Sequence, residues 1–361
     1  MKRSLVAALL LSSTSALAQE EPNFVGTAAP ATSAATTPLT LQVKPGLEVF
    51  AQYAYRRTLD ESGRSQWFHQ FDVPRVHLAL DAEAEDAHGR VLIEAVRSAS
   101  EGALIGVAGD SWVMRLREAY AGYSKYGFEG RAGVVPLLTI PELEGTWMLR
   151  AVAPDPRESS GLLTPADVGA NVRYTLPKDY AWVGVGAQNG EGYTNRELNR
   201  GKNAEAAASI HPLPAGPLKP LAVFVGYQLG SSGTGLARAD RATGALLWQG
   251  DMIRAGASAT YAWGTKDDGS QRSWIADGFI RAEPIEHLLF GVRGSFWVRD
   301  TRKDPAGKDT VAMVTGAAGY EIATPLTAFA AFTRSLPTDR ARTAVPESDY
   351  WEARLISRIV F

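Results

Sequence analysis

Trp351-Glu352-Ala353-Arg354-Leu355-Ile356-Ser357-Arg358-Ile359-Val360-Phe361 alternates by side-chain class up to its last residue. Trp351, Ala353, Leu355, Ile359 and Phe361 fall on one face of an extended strand, and Glu352, Arg354 and Arg358 fall on the other. Such a strand separates an apolar phase from water. Two architectures use it: a wall between lipid and an aqueous lumen, and a half-buried strand of a soluble sandwich. The rest of the chain has to decide between them.

The same period of two recurs from residue 41 onward. Leu47, Val49, Ala51, Tyr53 and Tyr55 oppose Glu48, Gln52 and Arg56. Val168, Ala170, Val172 and Tyr174 oppose Asp167, Asn171, Arg173 and Thr175, and Ile253, Ala255, Ala257, Ala259, Tyr261 and Trp263 oppose Arg254, Ser258 and Thr260. Short breakers at 86–89, 177–179, 211–217, 284–286 and 324–325 alternate with longer polar segments at 59–66, 188–202, 230–243, 264–272, 300–308 and 336–348. That asymmetry, short turns at one end and long loops at the other, belongs to a membrane barrel. Tyr180, Trp182, Trp248, Trp263, Trp274, Trp297, Tyr320 and Trp351 lie near strand ends, where interfacial girdles place aromatics.

Fifteen strands are recognisable by eye, an odd number that cannot close an antiparallel barrel with both termini on one side. The turn alternation locates the missing inward strand within 239–249, because the strands on either side of it both run outward. The expectation is an all-β fold, an antiparallel transmembrane β-barrel of sixteen strands over 41–361, with fourteen or eighteen as alternatives.

The opposite end of the chain agrees with export. Lys2 and Arg3 precede an apolar run at 5–11, and Ala16-Leu17-Ala18 supplies the small residues of a cleavage site. Residues 1–18 read as a secretory signal peptide and 19–40, rich in Ala, Thr and Pro, as a flexible periplasmic leader. No later apolar run reaches the roughly 18 residues of a spanning helix, so a membrane location requires strands. The chain has no cysteine, so packing and hydrogen bonds alone hold it. Removing Lys2 and Arg3 from the 37 basic residues leaves 35 against 39 acidic, a formal net charge of −4 that gives no reason to expect nucleic acid as partner.

The longest interruption, PLLTIPELEGTWMLRAVAPDPRESSGLLTP at 136–165, follows the fifth strand and is the third long loop. Structureless loops of this size are usually functional. With Leu137, Leu138, Ile140, Trp147, Met148, Leu149 and Val152 it is too apolar to hang in water. Folding inward against the barrel wall would bury that surface and narrow the lumen.

The run Arg115-Leu116-Arg117-Glu118-Ala119-Tyr120-Ala121-Gly122-Tyr123, then Arg131-Ala132-Gly133-Val134-Val135-Pro136, then the long loop, then Gln188-Asn189-Gly190-Glu191-Gly192 resembles the phosphate-selective porins of the O and P type. The layout corresponds over the whole mature barrel. The terminal Phe361 likewise resembles the closing strand of bacterial outer-membrane barrels, where it is part of the signal read by the barrel-assembly machinery. The resemblance implies a cell outer-membrane location and a passive channel for small hydrophilic solutes, narrowed by its third loop and commonly a homotrimer. It also implies a preference for anions or phosphate, conferred by an arginine ladder and a lysine cluster.

The ladder transfers in part. Arg75, Arg131, Arg173, Arg254, Arg281 and Arg293, together with Arg56, Arg354 and Arg358, occupy the polar face and are the expected pore-lining cations. Glu48, Asp81, Glu83, Asp167, Glu205, Asp277, Glu283 and Glu352 share that face. The lysine cluster does not transfer, since 136–165 has no lysine. The expected constriction is Glu142, Glu144, Arg150, Asp155, Arg157 and Glu158, with Arg150 and Arg157 projecting toward solute, in a pore where arginines face carboxylates. For each arginine the alternative is an ion pair across adjacent strands that only stiffens the wall.

Other signals point elsewhere. Gly184-Val185-Gly186-Ala187-Gln188-Asn189-Gly190 has three residues between its last two glycines where a dinucleotide fingerprint needs two, and small residues at a protein contact explain it better. His69, His77, His88, His211 and His287 are dispersed, without a zinc-binding spacing, and Asp267-Asp268-Gly269 lacks the ligands of a calcium loop. No cofactor, metal or catalytic residue is expected. Ser209 and His211 share a face but have no identifiable third partner, which leaves an outer-membrane hydrolase as a minor rival. A plugged structural or adhesion barrel is the other.

Overall fold

A computed structural model of the chain describes residues 40–59, 62–97, 112–195, 200–213, 215–265, 268–302, 309–345 and 348–361. The expected signal peptide at 1–18 and almost all of the expected leader at 19–40 lie outside the described residues, as do parts of the long connections. Residues from Thr40 to Phe361 form a single unit.

The first nine strands are β1 (Gln42–Leu59), β2 (Ser65–Ala84), β3 (Ala87–Arg97), β4 (Trp112–Lys125), β5 (Phe128–Pro136), β6 (Ala166–Thr175), β7 (Ala181–Gln188), β8 (Asn203–Ile210) and β9 (Leu221–Leu229). A two-residue hairpin, β10 (Ser231–Ser232) with β11 (Ala237–Arg238), interrupts the series. Then follow β12 (Asp240–Gln249), β13 (Ile253–Thr265), β14 (Asp268–Ile285), β15 (Leu288–Val298), β16 (Thr310–Ala323), β17 (Leu326–Pro337) and β18 (Tyr350–Val360). Leaving out the hairpin, sixteen strands pair with their neighbours in chain order, and β1 pairs antiparallel with β18 to close the barrel. The strand that breaks the odd count is β12, where the turn alternation required it.

Closure leaves the barrel no edge strand. Four connections at one rim are two-residue turns, set between the paired residues Ala84 and Ala87, Lys125 and Phe128, Ile285 and Leu288, and Ala323 and Leu326. At Tyr126 and Gly127 both φ angles are positive (53° and 83°), which is the geometry that matches strand twist in a two-residue hairpin. Glycine reaches it without cost, and Tyr126 adopts it beside that glycine.

Strand parity sorts side chains as the sequence pattern requires. Phe71, Met114, Val185, Leu355 and Ile322 face outward and are 59–84% exposed, an apolar band around the barrel. Tyr55, Trp67, Trp351 and Phe332 cluster outside at the long-loop rim with ring centroids 5.3–6.1 Å apart, and Phe128 stacks on Tyr174 at 4.4 Å at the other rim. Two of the expected girdle residues point the other way. Trp182 packs on Phe224 inside the barrel, and Trp297 lies inside against Ile275 with its indole N–H donating to Ser273. Both cover the inward loop.

Candidate functional site: a loop folded into the lumen

The segment after β5 is closed at its base by the Leu137 N–H to Pro165 carbonyl bond (3.0 Å) and is not structureless. Thr139–Trp147 forms helix α1 and Pro156–Ser159 a single turn, α2. The start of α1 has no capping side chain of its own. Glu205, on the facing wall strand β8, supplies the cap: its carboxylate accepts from Leu138 N (2.9 Å), Thr139 N (3.2 Å) and Thr139 Oγ1 (3.0 Å). An anion at the positive end of a helix is favourable by about 0.3–1 kcal/mol or more when partly buried. At the other end Met148 turns left-handed (φ 58°) and its N–H returns to Glu144.

From α1 onward the loop contacts wall strands far apart around the barrel. Leu138, Leu143, Trp147, Leu149, Val152 and Ala153 form one apolar cluster with Trp182, Ala207, Phe224, Leu247, Phe279, Phe329, Ala331 and Ile356. Those partners belong to β7, β8, β9, β12, β14, β17 and β18, so the loop lies inside the lumen across more than half its circumference. The wall is thin where the loop sits. A Cβ at Gly184 would meet Leu138 at 3.0 Å, one at Gly226 would meet Thr139 at 2.9 Å, and one at Gly291 would meet Leu149 at 2.5 Å. The glycine run at 184–190 thus supplies small residues for a protein contact.

Polar anchors fix the position. Arg157 donates to Thr260 at 2.7 Å and to Ser258, and pairs with Asp155 at 2.9 Å. Arg293 pairs with the same Asp155 at 2.8 Å and with Asp277 at 2.9 Å. Arg241 holds the Leu162 carbonyl at 2.8 Å, Arg354 holds that of Val152 at 2.6 Å, and Arg254 reaches that of Gly145 at 3.3 Å. Burial pushes the Asp155 carboxyl up, but the adjoining Arg157 and Arg293 guanidinium groups outweigh it and hold Asp155 below the ordinary aspartate range.

The expected site residues therefore divide. Arg157 and Asp155 are fully buried and Arg293 is 4% exposed, so these three fasten the loop and do not face solute. Two guanidinium groups and two carboxylates satisfy one another there, and desolvation forbids leaving one alone. Arg150, Glu144 and Glu158 do form a lumenal cluster, with Arg150 bridging Glu158 at 2.5 Å and Glu144 at 3.3 Å. Burial raises the Glu144 carboxyl above its ordinary value although Arg150 opposes the shift, whereas for Glu158 the Arg150 hydrogen bond and charge overcome burial and lower it. Glu142 stands apart, half-buried on α1.

Opposite this cluster is the wall of β2 to β4. Arg75 approaches Glu158 at 3.9 Å and pairs with Glu94 at 2.8 Å; Arg117 pairs with Glu94 at 2.8 Å. Tyr193, from the connection after β7, donates to Glu94 at 2.7 Å, and burial together with the Glu94 charge pushes its hydroxyl up to about 12. Beyond Glu94 the chain of charges runs through His77 to Glu48 (2.9 Å) and Arg358 (2.6 Å). Above the loop, on the long-loop side, Arg75, Arg115, Glu158, Thr164, Tyr193 and Gln228 help line a polar cleft of about 630 Å³.

The remaining wall arginines lie inside the lumen with varied partners. Arg131 pairs with Glu129 (2.6 Å), Arg281 with Glu283 (3.3 Å), and Arg173 stacks on Trp182 at 4.4 Å. Arg254 and Arg281 are direct cross-strand partners, two like charges in register. Sequence reasoning missed Glu94, Arg117 and Tyr193. A bulge between Leu92 and Ile93 shifts the β3–β4 register by one residue, so Arg117 and Glu118 escape a strict alternation.

No protein-family model matches the chain, and no curated protein matches it. Among solved structures it is similar to OmpF of Salmonella typhi in complex with daunomycin, at 13% identity over 88% of this chain and 97% of that one, with a TM-score of 0.62. It is also similar to an anion-selective porin from Comamonas acidovorans (12% identity, 89% and 100% covered, TM-score 0.59). A third is the outer-membrane channel DcaP of Acinetobacter baumannii (12% identity, 89% and 97% covered, TM-score 0.58). These likenesses concern the fold, and by that measure the chain, a closed antiparallel barrel of sixteen strands, shares its architecture with bacterial outer-membrane porins.

Proposed function

We propose that the protein is an outer-membrane porin, a non-enzymatic passive channel for small hydrophilic solutes with a mild preference for anions. The observation that carries this reading is the loop bound inside the lumen with a charged cluster turned to its one uncovered side. Hydrophobic contact and buried ion pairs fix the loop along the other side, so solute passes between Arg150, Glu144 and Glu158 on the loop and Arg75, Glu94, Arg115 and Arg117 on the wall. Four arginines there meet three carboxylates. Small anions are the ions such a gap admits more readily.

The apolar outer band and the aromatic clusters at both rims support the membrane setting, with outer-membrane lipid as surroundings. The barrel fold shared with porins supports the same location, as well as export by the 1–18 segment, insertion by the barrel-assembly machinery through Phe361 and a homotrimeric state. A dedicated phosphate channel is less favoured, because the constriction holds no lysine and its arginines are largely occupied by carboxylates of the chain itself.

The test is single-channel recording of the refolded protein in a planar bilayer under a salt gradient. Discrete steps with a reversal potential on the anion side are expected. A folded, heat-modifiable barrel that gives no steps would instead support the plugged-barrel reading, in which the Arg75 to Glu158 contact closes the gap.

A further inference from the structure

The densest polar convergence in the lumen wall is on a carboxylate, and it lies outside the loop. Glu94 is 1% exposed, and four side chains converge on it: Arg75 and Arg117, each at 2.8 Å, His77 Nε2 at 3.4 Å and the Tyr193 hydroxyl at 2.7 Å. Arg115 is its direct cross-strand partner, and no carboxylate lies within ion-pair distance of Arg115 among the described residues. Two arginines therefore pair with one fixed anion, and a third stands in register with it. Of them Arg75 also faces solvent in the gap, with its side chain 23% exposed.

We propose that Glu94 is the specificity-determining residue of the pore: a counter-anion tethered to the wall, holding the place that a mobile anion would otherwise take among Arg75, Arg115 and Arg117. It cancels charge on the wall of the gap and keeps the channel weakly selective. Tyr193 adds an uncharged contact to the cluster. Arriving from a different loop, it fixes one carboxylate oxygen while the arginines share the other, and the Arg117 guanidinium lies over its ring at 6.0 Å. The inference rests on the channel reading above and adds to it which group sets the sign and strength of selection.

The experiment is reversal potential under a potassium chloride gradient for the full-length refolded protein and three variants. E94Q keeps the size of the side chain and one acceptor oxygen and removes its charge, so the anion-to-cation permeability ratio is expected to rise about threefold. R117Q leaves Glu94 under-compensated and is expected to move the ratio the other way. Y193F disturbs the same cluster without changing charge and is expected to leave the ratio where it is. Opposite shifts in E94Q and R117Q with none in Y193F support the assignment. If E94Q does not fold, the sign of the R117Q shift decides. Wild-type steps with no shift in either charge variant, or with shifts that Y193F reproduces, overturn the role of Glu94 while leaving the channel intact. Absence of wild-type steps overturns the channel reading and this assignment with it.

Discussion

Arg293 on β15 and Asp155 on the inward loop meet at 2.8 Å where neither side chain is more than 4% exposed, and the two residues lie 138 positions apart in the chain. This pair joins loop to wall in a place water does not reach. Removing one partner strands the other charge, at a cost of roughly 3–5 kcal/mol. D155N is therefore expected to lower the temperature at which the folded band converts on a heat-modifiability gel, and to raise conductance and current noise as the loop loosens.

The same pair has a defined dependence on pH. Asp155 is held below the ordinary aspartate value, so its contribution is complete above the unfolded titration range and is lost as pH falls through the lower, folded value. The difference in conversion temperature between wild type and D155N should persist in mild acid and vanish only in stronger acid.

Arg150 and Arg157 lie seven residues apart on one loop and are expected to behave differently. Arg150 borders the gap and Arg157 is sealed beneath the loop. R150E should move reversal potential toward cations by tens of percent to severalfold in permeability ratio, as a charge change beside the ion path does. R157Q should leave the ratio of intact channels unchanged and destabilise the barrel. Equal shifts in both would place Arg157 on the ion path.

If the protein is the channel proposed, Glu144 is expected to contribute a pH response of selectivity. Burial holds its carboxyl above the ordinary glutamate value, so on acidification it takes up a proton before an ordinary glutamate does and removes a negative charge beside Arg150. Reversal potential should move further to the anion side as pH falls into that window. E144Q should start from the shifted value at neutral pH and lose this part of the response. An identical pH profile in both proteins would assign the response to another group.

Gly291 is the most confined wall position beneath the loop, since a Cβ there would stand 2.5 Å from Leu149 and 3.0 Å from Trp147. G291V is expected to displace that part of the loop into the lumen and reduce single-channel conductance, at about 1–3 kcal/mol of overpacking. W147A should do the reverse, costing about 3–5 kcal/mol and enlarging the channel.

The barrel was legible because strand parity is a local property. Val49, Ala51 and Tyr53 face out and Glu48 and Gln52 face in for the same geometric reason in any strand, and the closing pairs Glu48–Val360 and Tyr53–Leu355 obey it. The inward loop was legible from its apolar content. Its anchoring was not, because the roles of Arg157 and Arg293 depend on which wall residue lies opposite a loop 138 positions away, and nothing in local spacing encodes that. Trp182 and Trp297 misled for a related reason: an aromatic near a strand end suits a lipid interface, and it suits a loop contact equally well. Arg117 was hidden by a single bulge that reverses parity within β4.

The bond from Arg354 to the Val152 carbonyl joins the last strand to the loop between the fifth and sixth strands, across 202 positions of chain. Until β18 arrives the loop lacks that partner, as well as the β17 and β18 side chains of its apolar cluster. The closing strand thus completes the seating of the loop as well as the seam, through a contact of very long sequence separation. A chain without this final strand would lack those contacts, so how fully the lumen is filled depends on the same strand that shuts the cylinder.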